Sequence, residues 1–82
     1  MSPHDEIGRE LKASELQVKT VVLLSRDGLS FVSSWVTVVD AEFVFFGMGK
    51  IKTHLMLVRL ADETLVDDTG RQVRVFEYKG EV

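Results

Sequence analysis

The chain has 82 residues, the size of one small domain, and 45% of them are hydrophobic, a share typical of globular proteins rather than disordered ones. A domain this small buries only about 60–65% of the surface that its unfolded chain exposes, so its core must be efficient. The formal net charge is −3 and the basic residues are scattered, which argues against binding driven by phosphate neutralisation. The chain has no Cys, which excludes disulfides, thiolate metal sites and cysteine nucleophiles.

The N-terminal sequence and the lengths of the apolar runs predict a cytoplasmic protein without a membrane partner. The N-terminal residues lack the basic segment and apolar core of a signal peptide. The longest apolar runs are also far shorter than the ~20 residues that a membrane-spanning helix needs. The absence of Cys fits a reducing compartment. We therefore expect a single domain, residues 1–82, located in the cytoplasm.

The first residues are typical of a helix start. Ser2 offers a hydroxyl cap, Pro3 fixes the first turn, and an acidic residue follows three positions after the cap. Ile7 and Leu11, four residues apart, then form a narrow apolar stripe. We predict a short N-terminal helix within a helical arm, residues 1–16.

Residues 17–79 alternate between apolar segments and turn signals. The segments are rich in β-branched and aromatic residues, which favour strands, and they cover residues 17–26, 30–39, 42–46, 51–60, 64–66 and 72–79. Asp27-Gly28 predicts a two-residue hairpin turn with positive φ at both positions. Asp40-Ala41 permits a tight turn or a bulge, and Asp62-Glu63 and residues 67–70 predict further turns. The sequence thus predicts an all-β, mainly antiparallel fold: a small five- to six-stranded barrel or a bent meander.

This layout resembles that of Sm-like and SH3-like barrels. Val22-Leu23-Leu24 precedes Asp27-Gly28, and Asp40 precedes Phe43-Val44-Phe45, roughly where the first Sm motif has its residues. The Asn that grips a base in that motif is absent, as is the Arg-Gly pair of the second motif. The resemblance therefore implies a shape and assigns no binding residue.

Both faces of the predicted strands are apolar. In the second strand Phe31 and Trp35 alternate with Val32 and Val36, whereas a strand that covers a core on one side alternates with polar residues. A lone barrel of this size has one interior, and large exposed apolar patches are uncommon in soluble monomers. We therefore predict a homo-oligomer, most simply a dimer, joined through sheet faces whose candidate interface residues are Phe43, Phe45, Met56 and Val58.

Asp68-Thr69-Gly70 is similar to the signature of aspartic proteases, in which two such carboxylates share a proton. Those enzymes usually have a small residue after the Gly, whereas Arg71 follows here. Asp-Asp-Thr-Gly is also a good turn sequence, because short polar side chains bond their own backbone and Gly accepts positive φ. We predict a turn at this position rather than a catalytic site.

Other candidate sites give weaker patterns. The acids of residues 62–63 and 67–68 lack the alternating ligands of a calcium loop. Residues 47–50 lack the spacing of a phosphate loop, and His54 is a lone imidazole within a strand. We expect no catalytic residue, no cofactor and no metal.

The sequence therefore favours a non-enzymatic interaction module that self-associates and binds a protein partner. The alternative is a nucleic-acid-binding barrel, in which scattered cations contact phosphates and aromatic rings stack on bases. The candidate contacts for that alternative are Trp35, Lys50, Lys52, Arg59 and Arg74.

Overall fold

The structure is a computed structural model that describes residues 6–48 and 53–80. Within these ranges the chain forms one short 3-10 helix, Ala13–Glu15, and a seven-stranded antiparallel sheet. The strands are β1 (Ile7–Leu11), β2 (Val21–Ser25), β3 (Val32–Val39), β4 (Phe43–Met48), β5 (Thr53–Arg59), β6 (Leu65–Val66) and β7 (Arg74–Tyr78). The predicted all-β antiparallel class is confirmed, with one strand more than expected.

The strand order in the sheet is β1-β7-β2-β3-β4-β5-β6. Strands β2 to β6 form a meander, and β7 returns to lie between β1 and β2. The predicted closed barrel is therefore wrong, since the sheet has two edge strands, β1 and β6. A bridge between Val66 and Gln72 brings β6 close to the chain that leads into β7, so the open sheet is strongly curled.

The predicted N-terminal helix is also wrong. Ile7–Leu11 is a strand that pairs with β7, where Ile7 lies opposite Tyr78 and Leu11 opposite Val75. A register shift between Ile7 and Glu10 marks a bulge, which breaks the simple alternation of a strand. The four-residue spacing of Ile7 and Leu11 therefore resembles the apolar stripe of a helix, although both residues lie in a strand. The predicted helix start at Ser2 lies outside the described residues.

One core fills the concave side of the sheet. Val22, Val36, Val44, Phe46 and Leu57 are fully buried there. The 3-10 helix closes one end, because Ala13 and Leu16 belong to the same core cluster. The backbone N–H of Ala13 donates to the carbonyl of Glu63, which fastens this helix to the turn between β5 and β6.

The connection between β2 and β3 differs from the predicted two-residue turn. Leu24 pairs with Val32, so residues 26–31 form a longer loop between the two strands. Gly28 has a φ of 76°, but Asp27 does not take a positive φ. The Asp27 carboxylate instead accepts hydrogen bonds from the backbone N–H groups of Leu29 and Ser30, which organises the wider loop.

The turns predicted later in the chain are confirmed. Glu63 has a φ of 71° in the turn between β5 and β6, where the N–H of Leu60 donates to the carbonyl of Thr64. Gly70 has a φ of 84° in the turn between β6 and β7.

Candidate functional site

The convex side of the sheet carries an apolar surface that spans three neighbouring strands. On β4, Val44 and Phe46 point into the core, so Phe43 and Phe45 lie on the other side. Their register partners on β5 are Val58 and Met56. We call this surface the apolar face, and it consists of Trp35, Val38, Phe43, Phe45, Met56 and Val58.

A bulge in β3 brings both β3 residues of the apolar face, Trp35 and Val38, to the same side of the sheet. Val36 pairs with Phe46 on the core side, and the register then shifts so that Val38 lies opposite Phe45. Trp35 and Val38 therefore share one side although they are three positions apart. The Thr37 hydroxyl donates to the Phe45 carbonyl over 3.1 Å and holds the bulge in place.

Trp35 packs directly over Gly47 of β4. The two residues are register partners, and a Cβ atom at Gly47 would lie only 2.3 Å from Cε2 of the indole. A side chain at this position would push the ring off the sheet. Glycine is therefore the residue that lets the largest side chain of the apolar face rest on the backbone.

The apolar face remains partly open to solvent. Trp35, Val38, Met56 and Val58 are exposed by 41%, 45%, 45% and 39%. The rings of Phe43 and Phe45 are half-buried against each other, with centroids 5.2 Å apart in an edge-to-face arrangement. The arrangement is an aromatic and aliphatic surface on three paired strands.

The other half of the convex side is covered by the chain itself. The β2–β3 loop folds over β2 and β7, so that Phe31 packs against Phe76 with ring centroids 5.4 Å apart. Leu23 and Phe76 are buried as a result. Arg74 lies over the Phe76 ring at 5.0 Å from its centroid. The exposed apolar residues of the convex strands therefore lie mainly on β3, β4 and β5, and Val21 of β2, the register partner of Trp35, adjoins them at 37% exposure.

The structure brings the four predicted interface residues together. Phe43, Phe45, Met56 and Val58 are two cross-strand pairs on one side of the sheet. The sequence reasoning missed Val38 and gave Trp35 only to the nucleic-acid alternative. The signal that it lacked is the bulge, because simple alternation along β3 places Val38 on the side opposite to Trp35.

The cations of the nucleic-acid alternative are not assembled in the part of the chain that the structure describes. Arg59 pairs with the core residue Leu65, on the opposite side of the sheet from Trp35. Arg74 forms an ion pair with Glu10, with the guanidinium Nη2 2.7 Å from the carboxylate. Lys50 and Lys52 lie outside the described residues.

Arg59 has a structural position between two turns. Its Nη1 donates to the carbonyl of Asp40 over 2.8 Å, and its Nη2 lies 3.2 Å from the Glu63 carboxylate. A hydrogen bond from Ser14 and the interaction with Arg59 lower the pKa of Glu63. This guanidinium thus ties the β3–β4 turn to the β5–β6 turn.

Asp67, not Asp68, organises the turn that resembles the protease signature. Asp67 is buried, and its Oδ1 accepts hydrogen bonds from the Thr69 hydroxyl and from the N–H groups of Thr69 and Arg71. Arg26 adds an ion pair at 3.2 Å. The hydrogen bond from the Thr69 hydroxyl is the largest cause that lowers the pKa of Asp67 to about 2. Asp68 is exposed at the tip of this turn.

His54 is exposed at the end of the apolar face, where it pairs with Gly47. Within residues 6–48 and 53–80 the side chains of His, Asp and Glu form no group of three or more that could hold a metal ion. These ranges also contain no helix of the length and apolarity that crossing a membrane requires.

Compared with known protein families, with curated proteins and with solved structures, the chain matches none of them. The functional assignment therefore depends on the geometry of the site.

Proposed function

We propose that the protein is a non-enzymatic interaction module whose docking surface for a protein partner is the apolar face. The observation that carries this proposal is the alignment of six large apolar side chains on one side of β3, β4 and β5, outside the core. Apolar surface left in water is unfavourable, and its burial against a partner provides the main driving force of protein association. Patches of this kind on soluble proteins often mark binding sites.

The apolar face has the composition of an interface centre. Aromatic residues and Met are enriched at protein interfaces, and charged residues are depleted from the buried centre. Trp35 is the type of residue that most often contributes a large share of binding energy. Because Trp35 rests on Gly47 and Phe43 packs on Phe45, these rings lose little freedom on binding.

The charged residues support an interaction role rather than a catalytic one. Asp67 is bonded within its own turn, and Arg26 is paired with it. Arg59 and Arg74 are likewise used in contacts that fix turns and strands. The nucleic-acid alternative is the weaker proposal, because the described cations do not surround Trp35.

Peptide selection tests the docking surface without a known partner. Peptides would be selected from a random library for binding to the folded protein, and their contacts mapped by amide chemical shifts. We expect apolar peptides whose shifts concentrate on β3, β4 and β5. Met56→Lys should weaken their binding by about tenfold or more, since it places a charge at the centre of the face.

Leu29→Lys is the matched control, because Leu29 is an exposed apolar residue of the β2–β3 loop, outside the apolar face. This variant should bind the selected peptides as the wild type does. Peptides that map to another surface, or that bind Met56→Lys and wild type equally, would refute the proposed docking surface.

A further inference from the structure

We infer that the partner that fits the apolar face is a second copy of this chain, docked face to face about a twofold axis. This inference rests on the proposed function, because it takes the apolar face to be the docking surface. It adds the identity of the partner and the orientation in which the two copies meet.

The distribution of charge favours a second copy. In a twofold interface the same patch meets itself, so a patch whose charges all have one sign would repel its own copy. The convex positions of β4 and β5 that the structure describes carry Phe43, Phe45, Gly47, His54, Met56 and Val58, and none of these is an acid or a Lys or Arg. Two copies with a formal net charge of −3 each can therefore approach through this face without acidic groups meeting. A strongly basic or acidic partner would find no complementary charge at these described positions.

The exposed area supplies only the apolar centre of an interface between two copies. Taking ~150–250 Å² for a fully exposed large side chain, Trp35, Val38, Met56 and Val58 together expose about 300 Å². A standard interface buries about 800 Å² per partner, with an apolar centre and a polar rim. The apolar face supplies the centre, and the rim must come from the strand ends. We expect a dissociation constant in roughly the micromolar range, at the weak end for such interfaces.

The two ends of the apolar face differ, which sets the direction of the axis. The β3–β4 turn at one end carries the acids Asp40 and Glu42, both exposed, whereas His54 lies at the other end. An axis parallel to the strands would place the two acidic turns side by side. An axis across the strands instead places each turn over the partner's His54 end and leaves Phe45 and Met56 near the axis. We assign the second arrangement, in which Trp35 of one copy packs near Phe43 and Val58 of the other.

Sedimentation equilibrium tests the identity of the partner. We expect a concentration-dependent species of twice the 9.3 kDa mass of one chain, about tenfold or more weakened in Met56→Lys and unchanged in Leu29→Lys. The emission of Trp35, the single Trp of the chain, should shift to shorter wavelength as the dimer forms. Circular dichroism would establish that both variants keep the fold.

Cross-linking of single-cysteine variants tests the axis, because the natural chain has no Cys. With a short bis-maleimide, a mixture of Ala41→Cys and His54→Cys should form the mixed pair, and neither variant should cross-link with itself. Self-linked Ala41→Cys would overturn the axis across the strands. A wild type that stays at 9.3 kDa while selected peptides still bind the apolar face would overturn the second copy and leave the proposed docking surface in place.

Discussion

The contact between Trp35 and Gly47 allows a quantitative prediction, which concerns the Gly47→Ala substitution. An added Cβ would lie 2.3 Å from Cε2, 2.4 Å from Cζ2 and 2.7 Å from Nε1 of the indole. Ordinary contacts between carbon atoms are about 3.5–4.0 Å, so the ring must move outward by more than about 1 Å. Because the indole is a rigid plane, this shift separates most of the ring from the β4 backbone.

The free energy cost follows from the surface that the ring loses. Trp35 is 41% exposed, so about 100 Å² or more of its surface is covered in the native protein. At ~25 cal/mol per Å², losing most of that cover costs about 2 kcal/mol. Replacing Gly by Ala within a strand returns about 0.5–1 kcal/mol. We expect a net destabilisation of about 1 kcal/mol, which lowers the melting temperature of a domain of this size by roughly 4–8 °C.

A double-mutant cycle separates the steric effect from other causes. Gly47→Ala would be compared with the wild type, and Trp35→Ala/Gly47→Ala with Trp35→Ala, by thermal melts. Tryptophan emission, which in this chain reports on Trp35 alone, should shift to longer wavelength in Gly47→Ala. In the Trp35→Ala background the Ala should be neutral or stabilising. Equal destabilisation in both backgrounds, or an unchanged emission maximum, would refute the reasoning.

Four further predictions concern charged groups. Asp67→Ala should lower the melting temperature clearly more than Asp68→Ala, since only Asp67 accepts the bonds that close the turn; equal losses would contradict this assignment. Because the folded pKa of Asp67, about 2, lies below its ordinary 3.8, its stabilisation is present above pH 4 and is lost toward pH 2. The difference in melting temperature between wild type and Asp67→Ala should therefore narrow over that range, and a constant difference would argue against the low pKa. Arg59→Lys should lower the free energy of unfolding, measured with urea, by about 1–2 kcal/mol, because an ammonium cannot reach both Asp40 and Glu63. An unchanged unfolding midpoint would show that the two guanidinium contacts do not stabilise the fold. Filter binding to single-stranded DNA and RNA should reveal no affinity that falls steeply with salt, and a steep fall would favour the nucleic-acid alternative.

Much of the sheet could be predicted because its signals are local. The predicted strands correspond to β2–β7, and the turns at residues 62–63 and 67–70 use the residues that turn geometry demands. The alternation of Phe43 and Phe45 with Val44 and Phe46 is visible in the sequence. It correctly indicated that β4 has two apolar sides and that one of them lies outside the core.

The errors arose where distant segments decide the structure. Residues 7–11 become a strand because β7, about 65 positions further along the chain, offers backbone groups that need a partner. Local propensity contains no information about that edge. Closure of the sheet depends in the same way on how tightly seven strands curl, which a pattern of apolar residues does not determine.

The site was predicted in part for a related reason. Phe43, Phe45, Met56 and Val58 follow regular alternation on β4 and β5, so their common side was predictable. Val38 joins them only because β3 shifts register after Val36. Trp35 was recognised as a functional candidate. Its packing on Gly47 is a contact between strands, however, which no local sequence pattern reveals.

The two halves of the convex surface show why the apolar face points to a partner. Over β7 and the middle of β2 the chain covers its own apolar residues, since Phe31 packs on Phe76 and Leu23 is buried below the loop, whereas Val21 at the start of β2 stays exposed beside Trp35. Over β3, β4 and β5 no such cover is present among the described residues. The core does not need large apolar side chains on that side of the sheet. Polar residues at these positions would leave the buried Val44, Phe46 and Leu57 in place and would make the monomer more soluble. The fold of the described residues therefore does not account for the apolar face, whereas the proposed docking of a second copy would bury its side chains.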